Sequence, residues 1–224
     1  MYEELKRICD SIATTPGIRV AVFRGAGDKA FVSGSDIQQF VDLQEDEAYE
    51  VAVDAIFHSL QHLPIPTIAL IEGLAVGSGL LIATACDFRI STVDARFGIP
   101  VAKTLGNCLS PSNLSWIANH LGVPMVKRML LTAELIKAPE LLASGYLYQT
   151  ASPEEIVAVT EVLANKLAVL APITQKASKV TLARLLESNL PDCTELMRET
   201  YNSVDFKEGV NAFLEGRSPK WLGK

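Results

Sequence analysis

The stretch from residue 67 to residue 85, TIALIEGLAVGSGLLIATA, combines three local signals in one short run. Residues 67–71 are apolar and rich in β-branched side chains, which predicts a buried strand. Residues 73–79 contain three glycines, which predicts a tight turn. Residues 80–85 are uniformly apolar, so we expect a helix that is buried in the core. A strand, a glycine turn and a buried helix in this order are typical of an α/β protein.

The same alternation continues on both sides of this stretch. Residues 18–23 and 87–91 predict two further strands, and helices are expected near residues 5–12 and 49–63. After residue 91 the pattern is mostly helical, over residues 112–121, 123–131, 139–144, 153–170, 173–187 and 194–214. We therefore predict parallel strands in an α/β core over residues 1–135 and a helical oligomerisation region over residues 136–224.

The composition is that of a globular, rather apolar chain. Its 224 residues are enough to bury a core without disulfides or metals. Hydrophobic residues make up 49% and the mean hydropathy is +0.23, which excludes disorder. We expect part of the apolar surface to be buried between subunits.

The charge and cysteine patterns exclude several classes of protein. The net charge is −6 and basic residues occur only as isolated pairs, so no nucleic-acid partner is expected. No apolar run approaches the ~20 residues of a membrane helix, and the first residues are polar and acidic, so neither a membrane span nor a signal peptide is expected. The four cysteines form no C-x-x-C pair, which predicts buried thiols in a reducing compartment, the cytoplasm.

His58 and His62 are four residues apart on a predicted helix, which is the spacing of two metal ligands. The glutamate of an H-E-x-x-H motif is absent, and no third ligand accompanies the pair in the sequence. We therefore predict no metal site.

Ser78 lies between two glycines at the start of the predicted buried helix. It is not a nucleophile elbow, because Val76 and Leu80 stand where that motif needs glycine. The turn offers unpaired backbone N–H groups at the positive end of a helix, which is the chemistry of an oxyanion hole. A tight turn with glycine for close packing is an equally good interpretation of this segment alone.

A second turn, FVSGSDI at residues 31–37, follows the loop RGAG at residues 24–27. Together with G-x-A-x-G-x-G at residues 73–79, CDFR at residues 86–89 and ARFGIP at residues 95–100, it resembles the crotonase superfamily, also called the enoyl-CoA hydratase/isomerase family. The resemblance covers most of the chain. It implies an α/β fold, a crotonase-like (ClpP/crotonase) spiral of β-β-α units with a helical C-terminal extension.

The resemblance also implies a ligand and its binding residues. The thioester carbonyl of an acyl-CoA substrate would accept hydrogen bonds from the backbone N–H groups of Ser35 and Ser78, and no other cofactor is implied. The remaining residues implied to contact the substrate are Ser33, Gly34, Asp36, Ile37, Gly77, Leu81, Val101 and Asn107. Partners of the family's kind would be further copies of the chain, in a homotrimer or a dimer of trimers, with Trp221, Lys220 and Lys224 reaching a neighbour's CoA.

The sequence departs from the family pattern at both catalytic glutamates. Their positions fall on Leu81 and on Val101, or Ala102 with a longer loop, and neither leucine nor valine transfers protons. The family's two N-terminal strands and its N-R-P-x-x-x-N-A-[LM] loop are also expected but not seen. The polar side chains expected to face the acyl group are Asn107, Cys108, Ser110 and Asn113, although Asn107 is equally well explained as a loop stabiliser.

Three functions follow. The first is a hydratase/isomerase-type lyase or isomerase of fatty acid metabolism, with standard two-glutamate hydration in doubt. The second is an acyl-CoA decarboxylase or another enolate-forming enzyme, which needs no protein base at residue 81. The third is a non-catalytic acyl-CoA binder.

Overall fold

The computed structural model describes residues 1–27, 29–35, 46–188 and 190–223, and the side chains of all of these except residues 46–52. After helix α1 (Tyr2–Thr14), a β-β-α unit occurs three times. The units are β1 (Ala21–Arg24), β2 (Ala30–Val32) and α2 (Asp46–Gln61); β3 (Thr67–Ile71), β4 (Leu74–Val76) and α3 (Ser78–Ala85); and β5 (Phe88–Thr92), β6 (Arg96–Gly98) and α4 (Pro111–Leu121).

The strands of the three units form two sheets. The first strands pair in parallel as β1-β3-β5, and β8 (Gln149–Ala151) extends this sheet beside β5. The second strands pair in parallel as β2-β4-β6, and β7 (Ile136–Lys137) adds an antiparallel edge. The predicted spiral of β-β-α units is therefore confirmed.

The rest of the described chain is mostly helical. It contains α5 (Val123–Leu131), α6 (Ala138–Ala143), α7 (Ile156–Ala168), α8 (Pro172–Glu187), α9 (Thr194–Asn202) and α10 (Val204–Leu214). Strands β7 and β8 lie beyond residue 135, and each adds an edge strand to one of the two sheets. The predicted division of the chain at residue 135 stays a prediction. Among the described residues, no single helix has the length and apolarity to span a bilayer, and α7 with α8 meets those criteria only jointly, across a 104° bend.

Helix α3 is the buried helix that the sequence predicts. All of its 8 residues are buried. Thr84 donates from Oγ1 to the Leu80 carbonyl, 2.7 Å away, and the same hydroxyl lies 2.8 Å from the Tyr146 hydroxyl. The Trp116 indole N–H donates to the Thr84 carbonyl at 3.1 Å. These bonds satisfy polar groups that would otherwise be costly to bury.

Two sequence-based expectations of secondary structure are wrong. The three predicted strands correspond to β1, β3 and β5, so the whole second sheet was missed. The single helix predicted over residues 194–214 is two helices, because Ser203 interrupts it in an extended conformation (φ −66°, ψ 153°). Its Oγ accepts a hydrogen bond from the Phe206 N–H at 2.9 Å, which caps the start of α10.

Candidate active site

The two glycine turns lie side by side at the ends of two neighbouring strands. Strands β2 and β4 pair in parallel, so the chain leaves both at the same edge of the sheet. A Cβ placed on Gly77 would lie 3.6 Å from the Cα of Gly34. Both residues have positive φ, 126° at Gly34 and 59° at Gly77, which favours glycine at each position. Pairing of the strands therefore brings together segments that lie far apart in the sequence.

Gly79 has a packing role. A Cβ at this residue would lie 2.0 Å from the Val32 carbonyl oxygen, so only glycine lets α3 approach β2 this closely. The interpretation of the turn as a close-packing device thus holds for Gly79, while Gly77 and Ser78 face the neighbouring turn.

The turns present backbone donors. The Gly77 N–H is used, since it donates to the Gly98 carbonyl at 2.9 Å. Ser78 is the first residue of α3, where helical N–H groups have no intrahelical acceptor. Within the described part of the chain, no acceptor lies in hydrogen-bond reach of the N–H groups of Ser35 and Ser78. The N-terminal end of α3 also carries the positive end of the helix dipole, which favours an anionic oxygen at this point.

A cavity of about 190 Å³ opens beside these donors. Eight of the ten predicted substrate-contacting residues line it: Ser33, Gly34, Ser35, Gly77, Ser78, Leu81, Val101 and Asn107. The other two, Asp36 and Ile37, lie outside the described residues. Much of the remaining wall is apolar and includes Val53, Ile99, Leu105, Leu109 and Phe213. One cavity therefore joins the predicted donors to an apolar surface.

Two buried polar side-chain atoms in this lining lack a partner among the described residues. Ser78 Oγ and Asn107 Oδ1 are buried, and neither forms a hydrogen bond within the described part of the chain. Buried polar atoms are rarely left unpaired in native proteins, so both call for a polar ligand group or an ordered water. This observation favours a binding role for Asn107 over a purely loop-stabilising one.

The described lining carries no Asp, Glu, His, Lys or Arg. Leu81 and Val101, at the two expected glutamate positions, both face the cavity. Acidic residues do occur in the segment 36–45, at Asp36, Asp42 and Glu45, and these lie outside the described residues. Tyr2 is therefore the titratable side chain that the described residues bring to the cavity.

Tyr2 was missed by the sequence analysis. Its hydroxyl lies 2.5 Å from Ser35 Oγ, so α1 contacts a side chain of the turn at residues 31–37. The available signal was helical spacing, because Tyr2 lies on the same face of α1 as Leu5, Cys9 and Ile12.

Asp54 was also missed. It stands on α2 behind the cavity wall, where its Oδ1 accepts hydrogen bonds from Ser110 Oγ at 2.7 Å and from Asn113 Nδ2 at 2.6 Å. Burial raises the pKa of the Asp54 carboxyl, and the bond from Ser110 partly opposes that shift. Since Asn113 lines the cavity, Asp54 positions a cavity side chain without reaching the cavity itself.

Of the four polar side chains expected to face the acyl group, two line this cavity. Asn107 and Asn113 line the cavity, whereas Ser110 caps α4 and Cys108 lines a separate apolar cavity of about 670 Å³. The tail packs on its own chain: a Cβ on Gly106 would lie 3.1 Å from the Trp221 ring, and the Lys220 N–H donates to Glu208 at 2.9 Å. Contact of Trp221 with a neighbouring subunit stays a prediction, and Lys224 lies outside the described residues.

Comparison with known proteins agrees with this geometry. The family model for enoyl-CoA hydratase/isomerase matches residues 1–224. The chain is 29% identical over 221 residues to the short-chain-enoyl-CoA hydratase of Clostridium acetobutylicum, covering 96% of this chain and 84% of that protein. It is 32% identical over 226 residues to the (E)-benzylidenesuccinyl-CoA hydratase of Thauera aromatica, covering 98% and 88%.

Among solved structures, methylmalonyl-CoA decarboxylase in complex with 2-nitronate-propionyl-CoA superposes with a TM-score of 0.91 at 27% identity, covering 100% of this chain and 88% of that one. An enoyl-CoA hydratase/carnithine racemase from Magnetospirillum magneticum gives a TM-score of 0.79 at 28% identity, covering 100% and 86%. Together with the family model over the whole sequence, these matches show that the chain belongs to the enoyl-CoA hydratase/isomerase family, the crotonase superfamily.

Proposed function

We propose that the chain is an enzyme that binds an acyl-CoA thioester and stabilises the enolate formed from it. The thioester carbonyl oxygen accepts hydrogen bonds from the backbone N–H groups of Ser35 and Ser78. The observation that carries this proposal is the juxtaposition of the two turns beside a cavity, where the N–H groups of Ser35 and Ser78 have no acceptor among the described residues. Preorganised donors of this kind stabilise negative charge as it develops on oxygen.

The rest of the cavity suits the two ends of such a ligand. The backbone of the turn at residues 31–37, from Ser33 and Gly34 to Asp36 and Ile37, would line the path of the pantetheine arm. The apolar wall would hold the acyl chain, with Leu81 and Val101 against it. CoA is carried by the substrate, and the proposal includes no further cofactor.

Hydration by two glutamates is not the chemistry that the described lining supports, because Leu81 and Val101 cannot activate a water. Decarboxylation of a malonyl-type CoA is a second candidate favoured by this same observation. The bond between the α-carbon and the carboxylate breaks, its electron pair enters the thioester as an enolate, and CO₂ leaves. The α-carbon then takes a proton from water or from the Tyr2 hydroxyl. The TM-score of 0.91 to methylmalonyl-CoA decarboxylase is in keeping with this reaction.

A substrate panel separates the possibilities. Hydration is followed as loss of the conjugated-thioester absorbance with short and medium enoyl-CoAs, and decarboxylation as CO₂ release from malonyl- and methylmalonyl-CoA. Turnover in either arm supports the proposed enzyme and names its reaction. Binding of the CoA esters by calorimetry without turnover would instead indicate a non-catalytic binder, and absence of binding would refute the proposal altogether.

We also propose a homotrimer, or a dimer of trimers, in the cytoplasm. Large apolar side chains remain exposed on and beside α8, with Ile173 82% and Val169 83% accessible, and such surface is typical of subunit contacts. No disulfide joins the four cysteines, all of which lie among the described residues, as expected in a reducing compartment. Light scattering on the purified chain tests the oligomeric state, and a single-chain mass at micromolar concentration would refute it.

A further inference from the structure

Two histidines and a glutamate meet where helices α2 and α8 end. His62 Nε2 lies 3.3 Å from Glu187 Oε2, and His58 Nε2 lies 3.8 Å from Glu187 Oε1. One ligand atom from each of the three residues falls within 4.8 Å of the others. The expectation that the histidine pair lacks a third ligand is therefore wrong. Glu187 is brought to the pair by packing of the C-terminal helices, which helical spacing within α2 does not reveal.

The hydrogen bonding of His62 leaves two acceptors facing each other. His62 Nδ1 lies 3.0 Å from the His58 carbonyl, which only accepts, so Nδ1 carries a proton. In the neutral ring Nε2 then carries no proton and only accepts hydrogen bonds. It nevertheless lies 3.3 Å from a carboxylate oxygen, which is also an acceptor. Such a contact is unfavourable unless a cation lies between the two atoms. That cation is either a proton on Nε2 or a metal ion.

The second histidine favours the metal over the proton. The rings of His58 and His62 stack with centroids 3.8 Å apart, so two imidazolium charges would repel. A neutral imidazole is the form that binds metals.

The negative charge around the cluster also favours a bound cation. Helix α2 ends at Gln61 and α8 at Glu187, so the negative ends of two helix dipoles converge on the cluster. Glu187 adds a full negative charge at the unfavourable end of its own helix. Among the described residues, no lysine or arginine forms an ion pair with the Glu187 carboxylate.

We propose that His58, His62 and Glu187 bind a divalent transition metal, with Zn²⁺ as the best match and water completing the coordination. Ligands ~2.0–2.1 Å from a tetrahedral Zn²⁺ stand about 3.3 Å apart, which matches the contact between His62 and Glu187. None of the three residues lines the cavity beside Ser78, so the site is separate from the proposed acyl-CoA site. It links α2, whose Val53 forms part of the cavity wall, to the C-terminal helices.

The test is calorimetric titration of the metal-free, full-length chain with Zn²⁺. We expect one saturable site per chain, and we expect His62→Gln and Glu187→Gln each to weaken it at least 10-fold, since even outer-shell changes cost ~10–100-fold. His120→Gln is the matched control. His120 makes the same bond from Nδ1 to a carbonyl one turn back, at 2.8 Å, and is not part of the cluster.

Zn²⁺ should also raise the melting temperature of the wild type and of His120→Gln, but not of Glu187→Gln. Co²⁺ should show the visible absorption of a tetrahedral nitrogen and oxygen site without a thiolate band, which distinguishes the cluster from binding to a cysteine. If His62→Gln fails to fold, His58→Gln takes its place, because that side chain is 60% exposed. No saturable Zn²⁺ binding, or binding that Glu187→Gln leaves unchanged, would overturn the proposal.

Discussion

Replacing Ser78 by proline removes one backbone N–H from the proposed oxyanion hole while keeping the turn. Ser78 is the first residue of α3, a position where proline is common because the missing N–H has no helical acceptor. The preceding Gly77 has no Cβ, and its ψ of −122° lies outside the α region, so the clash that proline usually causes with its predecessor is avoided. The fold should survive, and the donor should be lost.

The expected loss is large and specific to turnover. Removing one oxyanion-hole donor typically costs 10²–10³-fold in kcat, about 2.7–4 kcal/mol of transition-state stabilisation. Because the hydrogen bond strengthens as charge develops on oxygen, kcat and kcat/KM should fall together. Affinity for a nitronate analogue that mimics the enolate should fall as well.

Ser78→Ala is the matched control, since it deletes the hydroxyl and keeps the N–H. Because Ser78→Ala keeps the N–H donor and loses only what the buried Oγ contributes, its kcat should fall by about 0.5–1.5 kcal/mol, the typical value of one neutral hydrogen bond and less than the loss in Ser78→Pro. Both variants are checked by circular dichroism and melting temperature, then assayed on the acyl-CoA that the panel identifies. If folded Ser78→Pro turns over as fast as Ser78→Ala, the assignment of this N–H is refuted.

Three further predictions concern stability. Gly79→Ala should destabilise the fold by about 1–3 kcal/mol or more in urea unfolding, because its Cβ would lie 2.0 Å from the Val32 carbonyl oxygen; a neutral effect would contradict the close packing. Tyr146→Phe should cost about 0.5–1.5 kcal/mol through loss of the 2.8 Å bond to Thr84, with Tyr148→Phe, half exposed, as the control. Because the pKa of Asp54 is raised in the folded chain, the folded chain keeps this proton just above pH 3.8, where the unfolded chain releases it. The stability of the wild type relative to Asp54→Asn should therefore fall as the pH rises from 3.8 through the raised pKa. A relative stability that rises with pH would contradict the raised pKa.

The sequence was most informative where one segment contains the whole signal. Strand β3 occupies the predicted residues 67–71, and α3 follows the glycine turn as expected. Both could be predicted because a continuous run of apolar residues indicates a buried element. Helix α5 at Val123–Leu131 also matches its prediction. The two turns could also be located from local sequence, because glycine marks positions where the backbone adopts a positive φ, as at Gly34 and Gly77.

The second sheet could not be predicted from the sequence because its parallel strands are short. Strands β2, β4 and β6 have 3 residues each, too few to show a period-2 pattern. They also lie in segments whose glycines predict turns. Their existence depends on pairing across the β-β-α units, which is a property of the folded chain.

The parts of the sites that were missed come from distant elements. Tyr2 and Phe213 reach the cavity from α1 and α10, and Glu187 reaches the histidine pair from α8. Local pattern places such a residue on a helix face but does not identify what that face meets. Leu81 and Val101, which the family resemblance places at the two glutamate positions, do line the cavity. Their correspondence to those glutamates, with Ala102 as the alternative to Val101, stays a prediction.

The most direct measurement is a crystal structure of the chain with a bound acyl-CoA or its nitronate analogue. We predict that the thioester oxygen lies ~2.7–3.1 Å from the backbone nitrogens of both Ser35 and Ser78, with the acyl chain against Leu81 and Val101. A thioester oxygen bound away from either nitrogen would contradict it.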